Sequence, residues 1–205
     1  MERASLTTTL LNVALLPTES TSTQIERLSA ESEPLGGLFQ LDGRQRFAHL
    51  TLYMARFADA NIESVLARTA DAVKSLPPMM VRHTGYFVTP GNYYEASFAK
   101  SDGVMAVHDL LIDTLLPLRF SPGDPVVEKY FGPYSAGQRA QAEETGYDLA
   151  RDLYRPHITI TRFAQAPVVA LPVAAVDLSF TATRIGLFKA DPLGAVTEPV
   201  AVWSL

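Results

Sequence analysis

Two short segments with the same unusual pattern constrain the fold of this chain more than any other feature. Residues 47–54 read FAHLTLYM, and residues 155–163 read RPHITITRF. Because side chains alternate between the two faces of a strand, each segment predicts a strand with a histidine and a threonine on one face and apolar residues on the other. The repeat indicates two similar halves, each with one histidine strand in its interior.

The remaining segments indicate an α+β fold, because helices and hairpins are mixed without a run of strict strand–helix–strand units. Alternating apolar residues and turn residues predict further strands at 8–16, 79–88 and 92–99, and a closing antiparallel pair around DPLG. Helical periodicity predicts helices at 22–33, 59–76 and 102–116. We expect Ser22 or Thr23 to cap the first of these helices and Asp59 to cap the second.

Composition limits the classes of function. The chain has 205 residues, enough for a single domain spanning 1–205, and its net charge of −5 argues against coating long nucleic acid. It contains no cysteine, which excludes disulfides and thiolate chemistry and fits a cytoplasmic location. No apolar run approaches the roughly 20 residues of a membrane span. We therefore expect no membrane partner, and we expect a monomer.

The polar face of the two strands suits chemistry on a phosphate. Imidazole gives or takes a proton near neutral pH, so two facing histidines can serve as a general acid and a general base. A hydroxyl two residues along the same face lies roughly 6 to 7 Å away, within reach of an anion held between the histidines. The other two histidines lack this context, because His83 is followed at that spacing by Gly85, and His108 by Leu110.

The motifs HLTL and HITI resemble the paired His-x-Thr-x signatures of the two-histidine (2H) phosphoesterase superfamily, which includes the 2′-5′ RNA ligase-like proteins and cyclic nucleotide phosphodiesterases. The resemblance covers most of the chain. It implies a bilobal α+β fold with a pseudo-twofold axis, in which two antiparallel sheets line a central cleft and helices pack outside.

The same resemblance implies a metal-independent phosphodiesterase, without a cofactor, that hydrolyses a 2′,3′-cyclic phosphate or a 2′-5′-linked nucleotide or RNA end. It assigns catalysis to His49 and His157, and phosphate binding to Thr51 and Thr159. A mononucleotide, an RNA end, a 2′-5′ oligoadenylate and a cyclic oligonucleotide would all suit these four residues. Which histidine is the acid and which is the base stays open.

Four further residues are candidate substrate contacts. Strict alternation places Tyr53, Thr161 and Arg155 on the cleft faces of the two histidine strands, and Arg162 on the opposite face. The fourth, Tyr134, lies in the stretch 117–150, which is longer than expected in compact members of the superfamily.

The stretch 117–150 is predicted to be a long loop or insertion near the cleft, with a short helix at about 136–145. Loops of this length are usually functional or mobile. It is rich in aromatic residues, which could form either a lid over a nucleobase or a small core of their own: Tyr130, Phe131, Tyr134 and Tyr147.

Two other functions compete with hydrolysis. A non-catalytic nucleotide- or RNA-binding module would keep the same cleft without turnover, and 2′-5′ RNA ligase activity would use it in the joining direction. A metal site is the poorest alternative, because the sequence has no His-x-x-x-His pair and no carboxylate beside either strand histidine.

Overall fold

The computed structural model describes residues 7–120 and 134–205. Their strands form two main antiparallel sheets, one in each lobe, as the α+β prediction requires. The first sheet has the order β2-β1-β8-β9 and consists of β1 (Thr8–Leu15), β2 (Leu50–Ala58), β8 (Arg184–Ala190) and β9 (Val196–Ser204). The second has the order β4-β5-β6 and consists of β4 (His83–Val88), β5 (Tyr93–Phe98) and β6 (His157–Arg162).

A short third sheet, which the sequence did not predict, pairs β3 (Met79–Val81) with β7 (Phe180–Ala182). The prediction of a single strand at 79–88 is therefore wrong, because the segment forms two strands that are separated at Arg82. Residues before the division pair with β7, and residues after it pair with β5. Periodicity alone could not reveal this change of partner.

Four helices are present among the described residues: α1 (Glu19–Ser32), α2 (Ile62–Val73), α3 (Asp102–Leu115) and α4 (Ala136–Thr145). The short helix predicted at 136–145 is confirmed. None of these helices combines the length and the apolar character that crossing a membrane would require. Residues 121–133, which include Tyr130 and Phe131, lie outside the described residues.

Two predicted helix caps are wrong. Helix α1 begins earlier than expected, because the Thr18 hydroxyl accepts a hydrogen bond from the backbone N–H of Thr21 at 3.3 Å. Asp59 does not cap α2, since its carboxylate accepts from the Thr9 hydroxyl at 2.7 Å and a 3₁₀ turn, Asp59–Asn61, precedes the helix.

The apolar faces of the histidine strands form part of one continuous core. Leu50, Leu52, Ile158 and Ile160 are fully buried, as the alternation predicts. Helix α1 follows β1 but packs against β6 of the other lobe, where the Ser29 hydroxyl donates to the Ile160 carbonyl at 2.7 Å. This helix therefore joins the two lobes behind their histidine strands.

Each histidine strand contains a β-bulge directly after its threonine. In β2 the register shifts so that Leu52 is the extra residue, and in β6 the extra residue is Ile160. An extra residue reverses the alternation beyond it. The assignment of Tyr53 and Thr161 to the cleft faces is therefore wrong, and the next residue of each strand takes the cleft face instead.

Candidate active site

Both histidine motifs line a single pocket between the two lobes. His49 and Thr51 approach it from the first sheet, and His157 and Thr159 from the second. The pocket is completed by the hairpin between β4 and β5, by the turn between β8 and β9, and by residues of α4 and its flanks. The four residues that the motifs single out are therefore brought together.

The two imidazoles are held in the same way. His49 places Nδ1 2.9 Å from the Phe47 carbonyl, and His157 places Nδ1 2.7 Å from the Arg155 carbonyl. Because a carbonyl can only accept a hydrogen bond, Nδ1 must carry the proton in both rings. In a neutral ring the lone pair then lies on Nε2, which makes Nε2 the atom that can accept a proton.

The surroundings of the two histidines differ. His49 is only 5% exposed, and burial lowers its pKa to about 4, with repulsion from a charged His157 adding to the effect. His157 instead has a carboxylate beside it, since its Nε2 lies 3.6 Å from Oε1 of Glu95. At neutral pH His49 is therefore uncharged.

Glu95 is a pocket residue that the sequence analysis missed. It is 3% exposed on β5, and its second oxygen forms an ion pair with the guanidinium of Arg155. Arg155 lines the pocket, as expected, and also covers the ring of Phe87 at 5.0 Å. The Glu95 carboxylate therefore partly offsets the positive charge of Arg155. The one sequence signal was an acidic residue in the strand YYEASF, which is otherwise poor in charge.

The stretch that includes α4 supplies a second carboxyl group. Asp148 is buried in the pocket wall, and Nε2 of Gln138 donates to its Oδ2 at 3.1 Å. Burial raises the pKa of Asp148 to about 6, against the opposing effects of its hydrogen bonds and of His157 and Arg155. Tyr134 and Tyr147 are buried and line the same pocket.

Two of the candidate substrate contacts do not reach the pocket. The Tyr53 hydroxyl donates to the Thr145 carbonyl at 2.6 Å, and the Thr161 hydroxyl donates to the Phe39 carbonyl at 2.7 Å. Both side chains are almost completely buried. The bulges in β2 and β6 cause this, because each turns the residue after the extra one away from the cleft.

The residues that follow take their places on the cleft side. Met54 lines the pocket. Arg162, which strict alternation had placed on the opposite face, donates from Nε to the Gly91 carbonyl at 3.1 Å and covers the ring of Tyr93 at 5.0 Å. Gly91 and Tyr93 both line the pocket, so Arg162 lies at its edge.

The pocket supports acid–base chemistry on an anion. It combines two imidazoles, two hydroxyls and a guanidinium whose charge is partly offset by a carboxylate. Within residues 7–120 and 134–205, no group of three or more histidine or acidic side chains is arranged to hold a metal ion.

The fold matches solved structures over nearly its whole length. E. coli LigT in apo form superposes with a TM-score of 0.59 at 16% identity, covering 97% of this chain and 98% of that one. LigT complexed with ATP gives 0.61 at 16% identity and the same coverage. A protein described as a phosphoesterase gives 0.58 at 17% identity, covering 97% and 99%.

No protein-family model matches the sequence, and no curated protein matches it either. At 16–17% identity the structural likeness establishes the fold, which is that of LigT and of the phosphoesterase. The bilobal architecture implied by the paired motifs is therefore confirmed.

Proposed function

We propose that this chain is a phosphodiesterase that hydrolyses a 2′,3′-cyclic phosphate or a 2′-5′-linked nucleotide or RNA end. The observation that carries the proposal is the shared pocket, in which His49 and His157 both have Nδ1 bound to a backbone carbonyl and Nε2 left for chemistry. The shared fold adds support, because LigT has been solved in complex with 3′-AMP and with ATP.

The surroundings of the two histidines support a division of roles between them. His49, kept neutral by burial, takes a proton from water on Nε2 as the water oxygen attacks phosphorus. His157, whose Nε2 lies 3.6 Å from the Glu95 carboxylate, donates a proton from Nε2 to the ribose oxygen as the bond from that oxygen to phosphorus breaks. The products are a phosphomonoester and a free hydroxyl, and proton exchange with solvent restores both rings.

The hydroxyls and the acidic neighbours complete the site. Thr51 and Thr159 donate to the non-bridging oxygens, where negative charge is concentrated during the transfer. Arg155 contributes positive charge that Glu95 partly offsets, so the pocket suits a phosphodiester with one negative charge. This arrangement supplies both proton transfers from side chains and has no need of a metal.

The test is hydrolysis of a 2′,3′-cyclic nucleotide in the presence of EDTA. We expect turnover by the parent protein and losses of about a hundredfold or more in His49→Ala and in His157→Ala, the usual cost of losing general acid or base help. His83→Gln is the matched control, because His83 lies outside the pocket. Full activity in both alanine variants would refute the mechanism, and joined products without hydrolysis would favour a ligase.

A further inference from the structure

A buried asparagine lies directly beneath the pocket. Asn12 on β1 is fully buried and is paired in register with Met54, which lines the pocket. Its Nδ2 donates to Oγ1 of Thr51 at 2.8 Å and approaches the sulfur of Met54 at 3.7 Å. Asn12 therefore contacts the phosphate-binding hydroxyl from behind, without reaching the pocket itself.

This contact fixes the direction of the Thr51 hydroxyl. A hydroxyl has one proton to donate and two lone pairs to accept with. Since one lone pair takes the Asn12 proton, the hydroxyl proton of Thr51 points elsewhere, and in the described part of the chain no protein atom accepts it. We propose that Asn12 is a positioning residue that holds Thr51 as a hydrogen-bond donor toward the substrate phosphate.

The inference rests on the proposed function, in which Thr51 holds a phosphate oxygen. It also predicts that the hydroxyls of Thr51 and Thr159 differ in how they are oriented. Thr159 faces the same pocket, but the described residues provide its hydroxyl with no hydrogen-bond partner. Among the described residues, Asn12 orders the hydroxyl of Thr51, and no side chain does the same for that of Thr159. Preorganised donors stabilise an anion more effectively than donors that reorient on binding.

The other end of the same amide argues against a purely structural role. Oδ1 of Asn12 is buried and has no hydrogen-bond partner among the described residues. An unpaired buried acceptor lowers stability. An apolar residue here would avoid that penalty, so the asparagine is explained by what Nδ2 does for Thr51 rather than by stability.

The experiment is a double-mutant cycle read out by calorimetric titration with inorganic phosphate. Asn12→Leu and Asn12→Ala are each made in the parent protein and in Thr51→Val. The two replacements are compared because one fills the space of the amide and the other leaves a cavity. We expect Asn12→Leu to weaken phosphate binding about fivefold, the scale of one neutral hydrogen bond. In the Thr51→Val background the same change should have almost no effect.

Thr69→Val is the matched control, because Thr69 is equally buried, its hydroxyl donates to the Val65 carbonyl of α2, and it does not line the pocket. It should leave phosphate affinity unchanged, and thermal unfolding should show Asn12→Leu to be no less stable than the parent. Equal losses in both backgrounds, unchanged affinity in Asn12→Leu, or no phosphate binding by the parent would each overturn the inference. The titration measures binding without turnover, so the two proposals can fail separately. If the cycle gives the expected affinities but the protein hydrolyses no substrate, the proposed function is rejected and the role of Asn12 stands.

Discussion

Two histidines with the same sequence context differ at the scale of single residues. His49 is almost completely buried, and the attraction of Asp191 does not offset the burial that lowers its pKa, whereas His157 has Oε1 of Glu95 3.6 Å from its Nε2. The motifs HLTL and HITI could not reveal this difference, because Glu95 comes from a strand more than 60 residues before His157. The assignment of base and acid therefore depends on tertiary contacts.

The lowered pKa of His49 leads to a prediction about pH. In the free protein, His49 takes up a proton only as the pH falls through about 4, and it then can no longer accept one from water. The acidic limb of kcat/KM for a 2′,3′-cyclic nucleotide should therefore lie near pH 4, well below the ordinary value for histidine of about 6.5. Circular dichroism at each pH serves as the control for unfolding. An acidic limb near 6.5 in the folded protein would contradict the role of His49 as base.

Asp148 gives a second prediction, about stability. Its pKa is about 6 in the folded protein and close to 3.8 when unfolded, so the folded state binds the proton more tightly. The raised pKa therefore does not lower the stability below about pH 3.8, and the loss of stability grows as the pH rises from there to about 6 and is complete above it. Asp148→Asn should raise the free energy of unfolding by on the order of 2 kcal/mol at pH 8, and by little at pH 4.

Urea denaturation of both proteins at the two pH values measures this difference. An equal effect at pH 4 and pH 8 would show that the carboxyl does not titrate as described.

At the scale of elements, the bulges in β2 and β6 decide which side chains reach the pocket. The sequence predicted both histidine strands and the alternation of the first four residues of each motif, with histidine and threonine toward the pocket and leucine or isoleucine toward the core, because alternation is a local property. It did not predict the extra residues Leu52 and Ile160, since a bulge depends on how the neighbouring strand pairs. Tyr53 and Thr161 were consequently assigned to the wrong face.

The bulge in β2 gives a third prediction. Because the Tyr53 hydroxyl bonds the Thr145 carbonyl at the end of α4 and does not face the pocket, Tyr53→Phe should affect stability and not substrate binding. We expect a loss of about 1 kcal/mol in the free energy of unfolding and an unchanged KM for a 2′,3′-cyclic nucleotide. Tyr134→Phe, which alters a pocket residue, provides the comparison. A several-fold rise in KM with unchanged stability would show that Tyr53 contacts the substrate, which would contradict this prediction.

At the scale of the whole molecule, the site exists only because the two lobes meet. Each lobe contributes one histidine and one threonine, and the repeat in the sequence was sufficient to predict this division. Glu95 and Asn12 could not be predicted in the same way, because each lies on a strand far along the chain from the residue that it contacts. Their roles come from burial and from contacts between strands, which no local pattern encodes.

The central claim is that both histidines act on one phosphate, and a crystal structure of the protein with 3′-AMP tests it most directly. The account predicts a single phosphate with oxygens within about 3.2 Å of Nε2 of both His49 and His157, the range of a hydrogen bond. Oγ1 of Thr51 and Oγ1 of Thr159 should each contact a different phosphate oxygen. A phosphate that contacts only one of the two imidazoles, or that binds outside this pocket, would contradict the account.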